Sequence, residues 1–244
     1  MNKAGGGRYA FAGLRLLARV IAARKLRLSV TGLEHIPLSG PVIIACHHYH
    51  HLYDGTVLLA TATRPLQILV GLDWARLGPV RWAMEAACRL AGWPTILRPD
   101  QRRTLRTMGL AGERASYRAH FEQGLGQSLA ILRTSGALVV FPEGHPTIDP
   151  HPNPKRGELV FLPFKRGFAD LAVLAAAERN AELPVVPVCF RYRPQGPRWQ
   201  VDMEVGVPRW VRADDSPLIV ASELEATIRG MADTPRFKHA AEDA

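Results

Sequence analysis

Histidine and aspartate residues lie close together directly after one apolar segment of the chain. The segment is Val42–Cys46, and His48, His50 and Asp54 follow it. A continuous apolar run is typical of a strand buried on both faces, and ligands of open α/β sheets bind at the carboxyl ends of such strands. A neutral imidazole, with a pKa of about 6.5, can accept a proton from a hydroxyl, and a neighbouring carboxylate can orient it. The pattern therefore predicts a histidine general base at a strand end.

Two histidines compete for this role. Five residues separate His48 from Asp54, whereas His50 would lie one helical turn from Asp54 if a helix began early. We favour His48, because a general base is better placed in a loop than on the side of a helix. A metal site is the alternative, since His47, His50, His51 and Asp54 have helix-like spacing. The three cysteines offer no ligand spacing of their own, and we predict no metal.

The elements that would position these residues alternate between strand and helix. The chain has 244 residues, of which 47% are hydrophobic and 22% charged, as in an ordinary globular domain. Alternation of this kind predicts an α/β fold around a mostly parallel sheet. Strands are predicted at residues 26–30, 42–46, 66–70, 137–141, 184–190 and 201–205. Helices are predicted at 55–63, 80–91, 104–134 with a break near 109–112, 168–179 and 223–231.

The chain is strongly basic, and this limits its partners. A formal net charge of +9 calls for an anionic partner or surface. Nucleic-acid-binding motifs are absent and aromatic residues are only 7% of the chain, so we predict a membrane surface and no nucleic acid. No apolar run reaches the roughly 18 residues of a spanning helix. The expectation is a cytoplasmic protein, peripheral on the membrane.

The N-terminal segment is the candidate for membrane contact. A helix over residues 9–24 would place apolar side chains on one face beside arginines, an arrangement suited to a lipid interface. The predicted apolar face consists of Phe11, Leu14, Leu17, Ala18 and Ile21. The alternative is that this face packs on the domain. The predicted organisation is a membrane-associating helix over residues 1–25, one domain over 26–234 and a tail over 235–244.

Four segments resemble, in order, the four sequence blocks of the glycerolipid acyltransferase family, which includes 1-acylglycerol-3-phosphate acyltransferases. They are His48 with Asp54, Gly-Trp-Pro-Thr-Ile-Leu-Arg at 92–98, Phe-Pro-Glu-Gly at 141–144 and Val-Val-Pro-Val at 185–188. Leu-Pro-Phe-Lys-Arg-Gly at 162–167 also resembles a Phe-Lys-x-Gly segment of that family. One short block would be weak evidence, but all of them in order are specific.

The resemblance implies an αβ sandwich like that of glycerol-3-phosphate acyltransferase. It also implies transfer of a fatty acyl chain from acyl-CoA or acyl-carrier protein to a hydroxyl of a lysophospholipid, such as 1-acylglycerol-3-phosphate, in phospholipid biosynthesis. The acyl thioester would be a co-substrate, with no resident cofactor, and the protein would act at the inner face of the cell membrane. His48 and Asp54 would be catalytic. The acceptor phosphate would be bound by Arg98, Glu143, Gly144 and Lys165.

The sequence departs from the family pattern at two blocks. The first block usually has Asn before its histidine and four residues before the aspartate, whereas here His47 precedes His48 and five residues intervene. The third block continues after Gly144 with His-Pro-Thr instead of Thr-Arg-Ser, which removes one phosphate-binding arginine. Two alternatives stay open on these grounds: an acyltransferase for another polar lipid, and a non-catalytic lipid-binding protein.

Overall fold

The structure, a computed structural model, describes residues 3–72, 78–96, 114–150, 154–155 and 161–233. Its centre is a seven-stranded sheet. The strands of this sheet are β1 Leu26–Thr31, β2 Val42–Cys46, β3 Leu66–Ile68, β6 Ala137–Val140, β7 Leu183–Gln195, β8 Arg198–Val205 and β9 Arg209–Val211. A separate two-stranded sheet consists of β4 Val70–Gly71 and β5 Thr95–Ile96.

The sheet is mostly parallel, as predicted. The strand order is β1-β8-β7-β2-β6-β3, and β9 pairs with β7. The four neighbours β7, β2, β6 and β3 are parallel. β8 is antiparallel to β7 because the chain turns back at Gly196, which has a positive φ of 59°. The predicted strand at 184–190 is therefore the first part of a longer strand that continues into a hairpin.

Helices cover both faces of the sheet, as an αβ sandwich requires. They are α1 Lys3–Lys25, α2 Tyr53–Thr61, α3 Gly78–Ala91, α4 Arg114–Arg133, α5 Gly167–Arg179 and α6 Pro217–Asp233, with a short 3₁₀ turn at Leu33–His35. Side chains of β2 alternate between the two layers. Ile44 packs with residues of α1 and α2, whereas Ile43 and Ala45 pack with α4, α5 and α6. The end of β2 is consequently held between two apolar layers.

Several predicted elements differ in extent from the observed ones. The predicted helix at 55–63 begins at Tyr53, so Asp54 lies in its first turn. The predicted strand at 66–70 is divided, because Val70 pairs with β5 in the second sheet. The last helix begins at Pro217, whose ring suits the first helical position, and not at Glu223. Residues 104–113 of the predicted long helix, including its break, lie outside the described residues.

The predicted apolar face of α1 is divided between the domain and the solvent. Ala18 and Ala22 are buried in the layer that contains α2, whereas Leu16 and Leu17 are 66% and 57% exposed. Adjacent helical residues are about 100° apart around the helix axis, which is about the width of one apolar face. Ala18 lies on the side of this face that meets the domain, and Leu17 lies at its exposed edge. None of the described helices is both long and apolar enough to cross a membrane.

Candidate active site

The parallel strands β6, β2 and β7 bring three segments to one edge of the sheet. His47 follows β2, and its backbone N–H donates to the carbonyl of Val188 on β7 at 2.9 Å. Residues 141–144 follow β6. Because β7 continues past this edge to Gln195, its later residues reach the loop that follows β2. This edge is where open α/β folds bind ligands.

His48 and Asp54 are hydrogen-bonded through their side chains. The distance from His48 Nδ1 to Asp54 Oδ2 is 2.9 Å. The backbone N–H groups of Tyr49 and His50 donate to the same oxygen, at 2.8 Å and 3.0 Å. Residues 48–50 thus surround one oxygen of the carboxylate. This turn accommodates the five residues between His48 and Asp54, one more than in the family pattern. With Nδ1–H donated to Asp54, Nε2 of His48 carries the lone pair that can accept a proton.

The Asp54 carboxylate is fully buried and receives one further hydrogen bond. The hydroxyl of Tyr192 donates to Oδ1 at 2.7 Å. Burial raises the pKa of Tyr192, and the neighbouring charge of Asp54 raises it further, so the phenol stays protonated and acts as the donor. Both carboxylate oxygens therefore have partners, as a buried charge requires.

The ring of His50 has a different role from that of His48. Its Nδ1 accepts the N–H groups of Leu52 and Tyr53, at 3.2 Å and 3.4 Å, which caps the first turn of α2. Burial, together with nearby His51, lowers the pKa of His50 to about 4. Its backbone, but not its ring, is bonded to Asp54. Of the two candidate bases, His48 is the one whose ring contacts the carboxylate.

A second buried carboxylate, that of Glu143, lies next to the His48–Asp54 pair. Its Oε1 accepts His47 Nδ1–H at 2.7 Å and the backbone N–H of His48 at 2.9 Å. Its Oε2 contacts Nζ of Lys155 at 2.7 Å and accepts the N–H of Leu162 at 2.9 Å. Burial alone would raise the pKa of Glu143, but the hydrogen bond from His47 and the charge of Lys155 outweigh it and lower the pKa to about 2. Glu143 is therefore ionised.

Lys155 holds the other side of His48. Its Nζ donates to the His48 carbonyl at 2.8 Å and to Oγ1 of Thr147 at 3.3 Å, and its side chain is 1% exposed. Burial lowers the pKa of Lys155, and Glu143 opposes that shift. The His48 ring stacks on Phe141 at 4.2 Å between centroids. Backbone N–H, carbonyl, Nδ1 and ring face of His48 are thus all held by neighbours.

The predicted phosphate-binding residues are not all brought together. Arg98 lies outside the described residues. Gly144 has a φ of +76°, which favours glycine, but its N–H donates to the Phe141 carbonyl at 2.9 Å and closes a turn. Exposed Lys165 lies beside this turn, because its N–H donates to the carbonyl of Pro142 at 3.1 Å. The Glu143 carboxylate is occupied by four protein donors, which favours a positioning role for it over contact with a phosphate.

Two residues of the site were missed by the sequence analysis. Lys155 lies in a Pro-rich polar loop, and no sequence signal distinguishes it from a surface lysine. Tyr192 lies beyond the predicted end of β7, although alternation from Val188 would have placed it on the same face. Within the described ranges, no group of three or more His, Cys, Asp or Glu residues is arranged to hold a metal ion.

Comparisons with known proteins show the fold and the family. A solved structure with the same fold is the crystal structure of the 1-acyl-sn-glycerophosphate (LPA) acyltransferase PlsC from Thermotoga maritima. It superposes with a TM-score of 0.61 at 17% identity, covering 96% of this chain and 85% of that one. No curated protein matches the sequence significantly. The family model described as Acyltransferase matches residues 27–191, well over half of the chain. The chain therefore belongs to the acyltransferase family.

Proposed function

We propose that the protein transfers a fatty acyl chain from an acyl thioester, acyl-CoA or acyl-carrier protein, to a hydroxyl of a lysophospholipid such as 1-acylglycerol-3-phosphate in phospholipid biosynthesis. The observation that carries this proposal is the 2.9 Å hydrogen bond between His48 Nδ1 and buried Asp54. Family membership supports acyl transfer, and the solved neighbour is a 1-acyl-sn-glycerophosphate acyltransferase.

The reaction follows from the tautomer of His48. Nε2 takes the proton of the acceptor hydroxyl as its oxygen attacks the thioester carbonyl, and Asp54 stabilises the imidazolium that forms. A carbon–oxygen bond forms, the carbon–sulfur bond breaks, and the imidazolium gives its proton to the departing thiolate. The acceptor hydroxyl plays the part that a serine plays in a hydrolase, so no covalent enzyme intermediate is needed. The thioester is a co-substrate, and we propose no resident cofactor or metal.

The acceptor phosphate is proposed to lie near the turn at residues 141–144. Lys165 supplies a positive charge beside this turn, and Arg98 supplies a guanidinium that can bind phosphate in a bidentate manner. Glu143 holds the loop that contains His48, because it accepts hydrogen bonds from His47 Nδ1–H and from the His48 backbone N–H.

A substrate panel tests this function. Free thiol is measured with palmitoyl-CoA and palmitoyl-carrier protein, each with lysophosphatidate, lysophosphatidylcholine or monoacylglycerol. We expect acceptor-dependent release with lysophosphatidate, at least about tenfold faster than with uncharged monoacylglycerol, because charge-assisted hydrogen bonds to phosphate are strong. Equal rates with monoacylglycerol would contradict a phosphate-bearing acceptor. No release with any pair would contradict acyl transfer and favour a lipid-binding protein.

We also propose that α1 associates with the inner face of the cell membrane. Leu16, Leu17 and Val20 are exposed on α1, and Trp82 is exposed on α3, which α1 contacts. Exposed Arg24 and Lys25 at the end of α1 would add attraction to anionic lipid.

A double variant that introduces two negative charges into α1 tests this association. Leu16→Glu with Leu17→Glu should lower binding to anionic vesicles by more than about tenfold. Each leucine side chain that enters the lipid contributes about 1.5–3 kcal/mol to the free energy of binding. The matched control is Leu218→Glu with Ile219→Glu, since those side chains are similarly exposed at 66% and 55% on α6. Sedimentation with vesicles measures both. Unchanged binding of the α1 variant would exclude α1 as the anchor and favour the arginine-rich stretch after Arg98.

A further inference from the structure

The two oxygens of the Asp54 carboxylate are bound by different parts of the chain. Oδ2 accepts three donors from the His48 loop: the His48 ring and two backbone N–H groups. Oδ1 accepts the hydroxyl of Tyr192, which lies on β7, 138 positions away. The carboxylate is fully buried, so its orientation depends on these protein donors and not on bulk water.

Tyr192 is itself held in place by packing. It is paired with Val201 of β8 in the antiparallel hairpin and is 8% exposed. Its ring stacks on Tyr49 with 4.8 Å between centroids and an interplanar angle of 10°, and it meets Trp199 edge-on at 6.0 Å. A rigid ring of this kind directs its hydroxyl at one point. That point is Oδ1 of Asp54, at 2.7 Å.

We propose that Tyr192 is a positioning residue of the acyl-transfer site, whose hydroxyl fixes the Asp54 carboxylate so that Oδ2 holds the His48 ring. The inference rests on the proposed function of the His48–Asp54 pair. Tyr192 lies one residue beyond the segment that the family model matches, 27–191, so the family match does not account for it. His48, Asp54 and Tyr192 then form a chain of hydrogen bonds from loop to helix to strand.

Removing the Tyr192 hydroxyl should loosen the orientation of the His48 ring. Oδ1 of a fully buried carboxylate would lose its hydrogen bond, and the carboxylate would be free to rotate away from the position in which Oδ2 accepts His48 Nδ1–H. The three donors to Oδ2 would remain, so the pair would stay bonded but less well aligned.

Tyr192→Phe tests this role, because phenylalanine keeps the ring and removes only the hydroxyl. We expect kcat to fall about tenfold at neutral pH with acceptor KM within about twofold, since a hydrogen bond to a charged group is worth about that factor. The NMR signal of the His48 Nδ1–H proton should move upfield, because the carboxylate that accepts this proton is no longer held in place.

Ser128→Ala is the matched control, because it removes another buried hydroxyl, bonded to the Gly124 carbonyl at 2.8 Å on α4, away from the site. It should leave both the kinetics and the His48 Nδ1–H signal unchanged. A Tyr192→Phe protein whose kcat and His48 Nδ1–H signal match those of wild type would overturn the proposal. If wild type transfers no acyl group, the proposed function fails, while the NMR signal still decides whether Tyr192 acts on His48 through Asp54.

Discussion

Replacing His48 by alanine should lower kcat for acyl transfer by about 10³-fold, within the range that general-base catalysis contributes. The variant loses the Nε2 lone pair that accepts the hydroxyl proton, but the apolar and phosphate contacts of the substrates lie elsewhere, so KM should change little. Steady-state thiol release with saturating donor and varied lysophosphatidate measures both constants. The His48 side chain is partly exposed, and its removal should not unfold the domain.

His50→Asn is the comparison variant for this experiment. An asparagine oxygen can replace Nδ1 of His50 as acceptor for the first N–H groups of α2. We expect a loss of at most about tenfold, far smaller than for His48→Ala, because the His50 ring does not contact Asp54. The reverse order, with His48→Ala active and His50→Asn inactive, would assign the base to His50.

Replacing Glu143 by leucine should lower the free energy of unfolding by about 3–5 kcal/mol, because the Lys155 ammonium would stay buried without its counter-charge. Denaturant unfolding followed by circular dichroism measures the loss. Activity should fall as well, since the backbone N–H of His48 loses its acceptor. The double variant Glu143→Leu with Lys155→Met should regain most of the stability, as apolar replacements of buried ion pairs do, but not the activity. A double variant no more stable than the single one would contradict the pairing.

The contribution of ionised Glu143 to the free energy of unfolding depends on pH. The pKa of Glu143 is lowered in the folded protein from 4.5 to about 2. A lowered carboxyl pKa stabilises the fold above the unfolded-state pKa, and that contribution is lost as pH falls through the folded-state value. The difference in unfolding free energy between wild type and Glu143→Leu should therefore shrink between about pH 4.5 and about pH 2. A constant difference over this range would contradict an ionised Glu143.

The position of the site could be predicted from the sequence because its signals are local. An apolar run of five residues predicts the buried strand β2, and His48 and Asp54 follow it within eight residues. Parallel pairing of β2 with β6 then brings residues 141–144 to the same edge, as the alternation of strands and helices indicates.

The supporting contacts could not be predicted, because they depend on the order of strands and the paths of loops. Lys155 meets the carbonyl of His48 across 107 positions of sequence, and Tyr192 meets Asp54 across 138. The first contact needs β6 beside β2, and the second needs β7 beside β2 together with the extension of β7 beyond its predicted end. Periodicity within one segment carries no information about such partners.

The packing of α1 shows a second limit of sequence patterns. An amphipathic pattern identifies apolar positions but not which of them meet the domain. Here the small residues Ala18 and Ala22 face the domain, which lets α1 approach α2 closely, and the larger Leu16 and Leu17 face outward. The contacts of α1 with α2 decide which of its apolar positions are buried.

The most direct test of the central claim is the stoichiometry of thiol release by the wild-type protein with palmitoyl-CoA, in the presence and absence of lysophosphatidate. Direct attack by an acceptor hydroxyl that His48 deprotonates predicts release only with the acceptor, one thiol for each molecule of phosphatidate formed. A burst of thiol equal to the enzyme concentration without acceptor, or release with no phosphatidate formed, would contradict it.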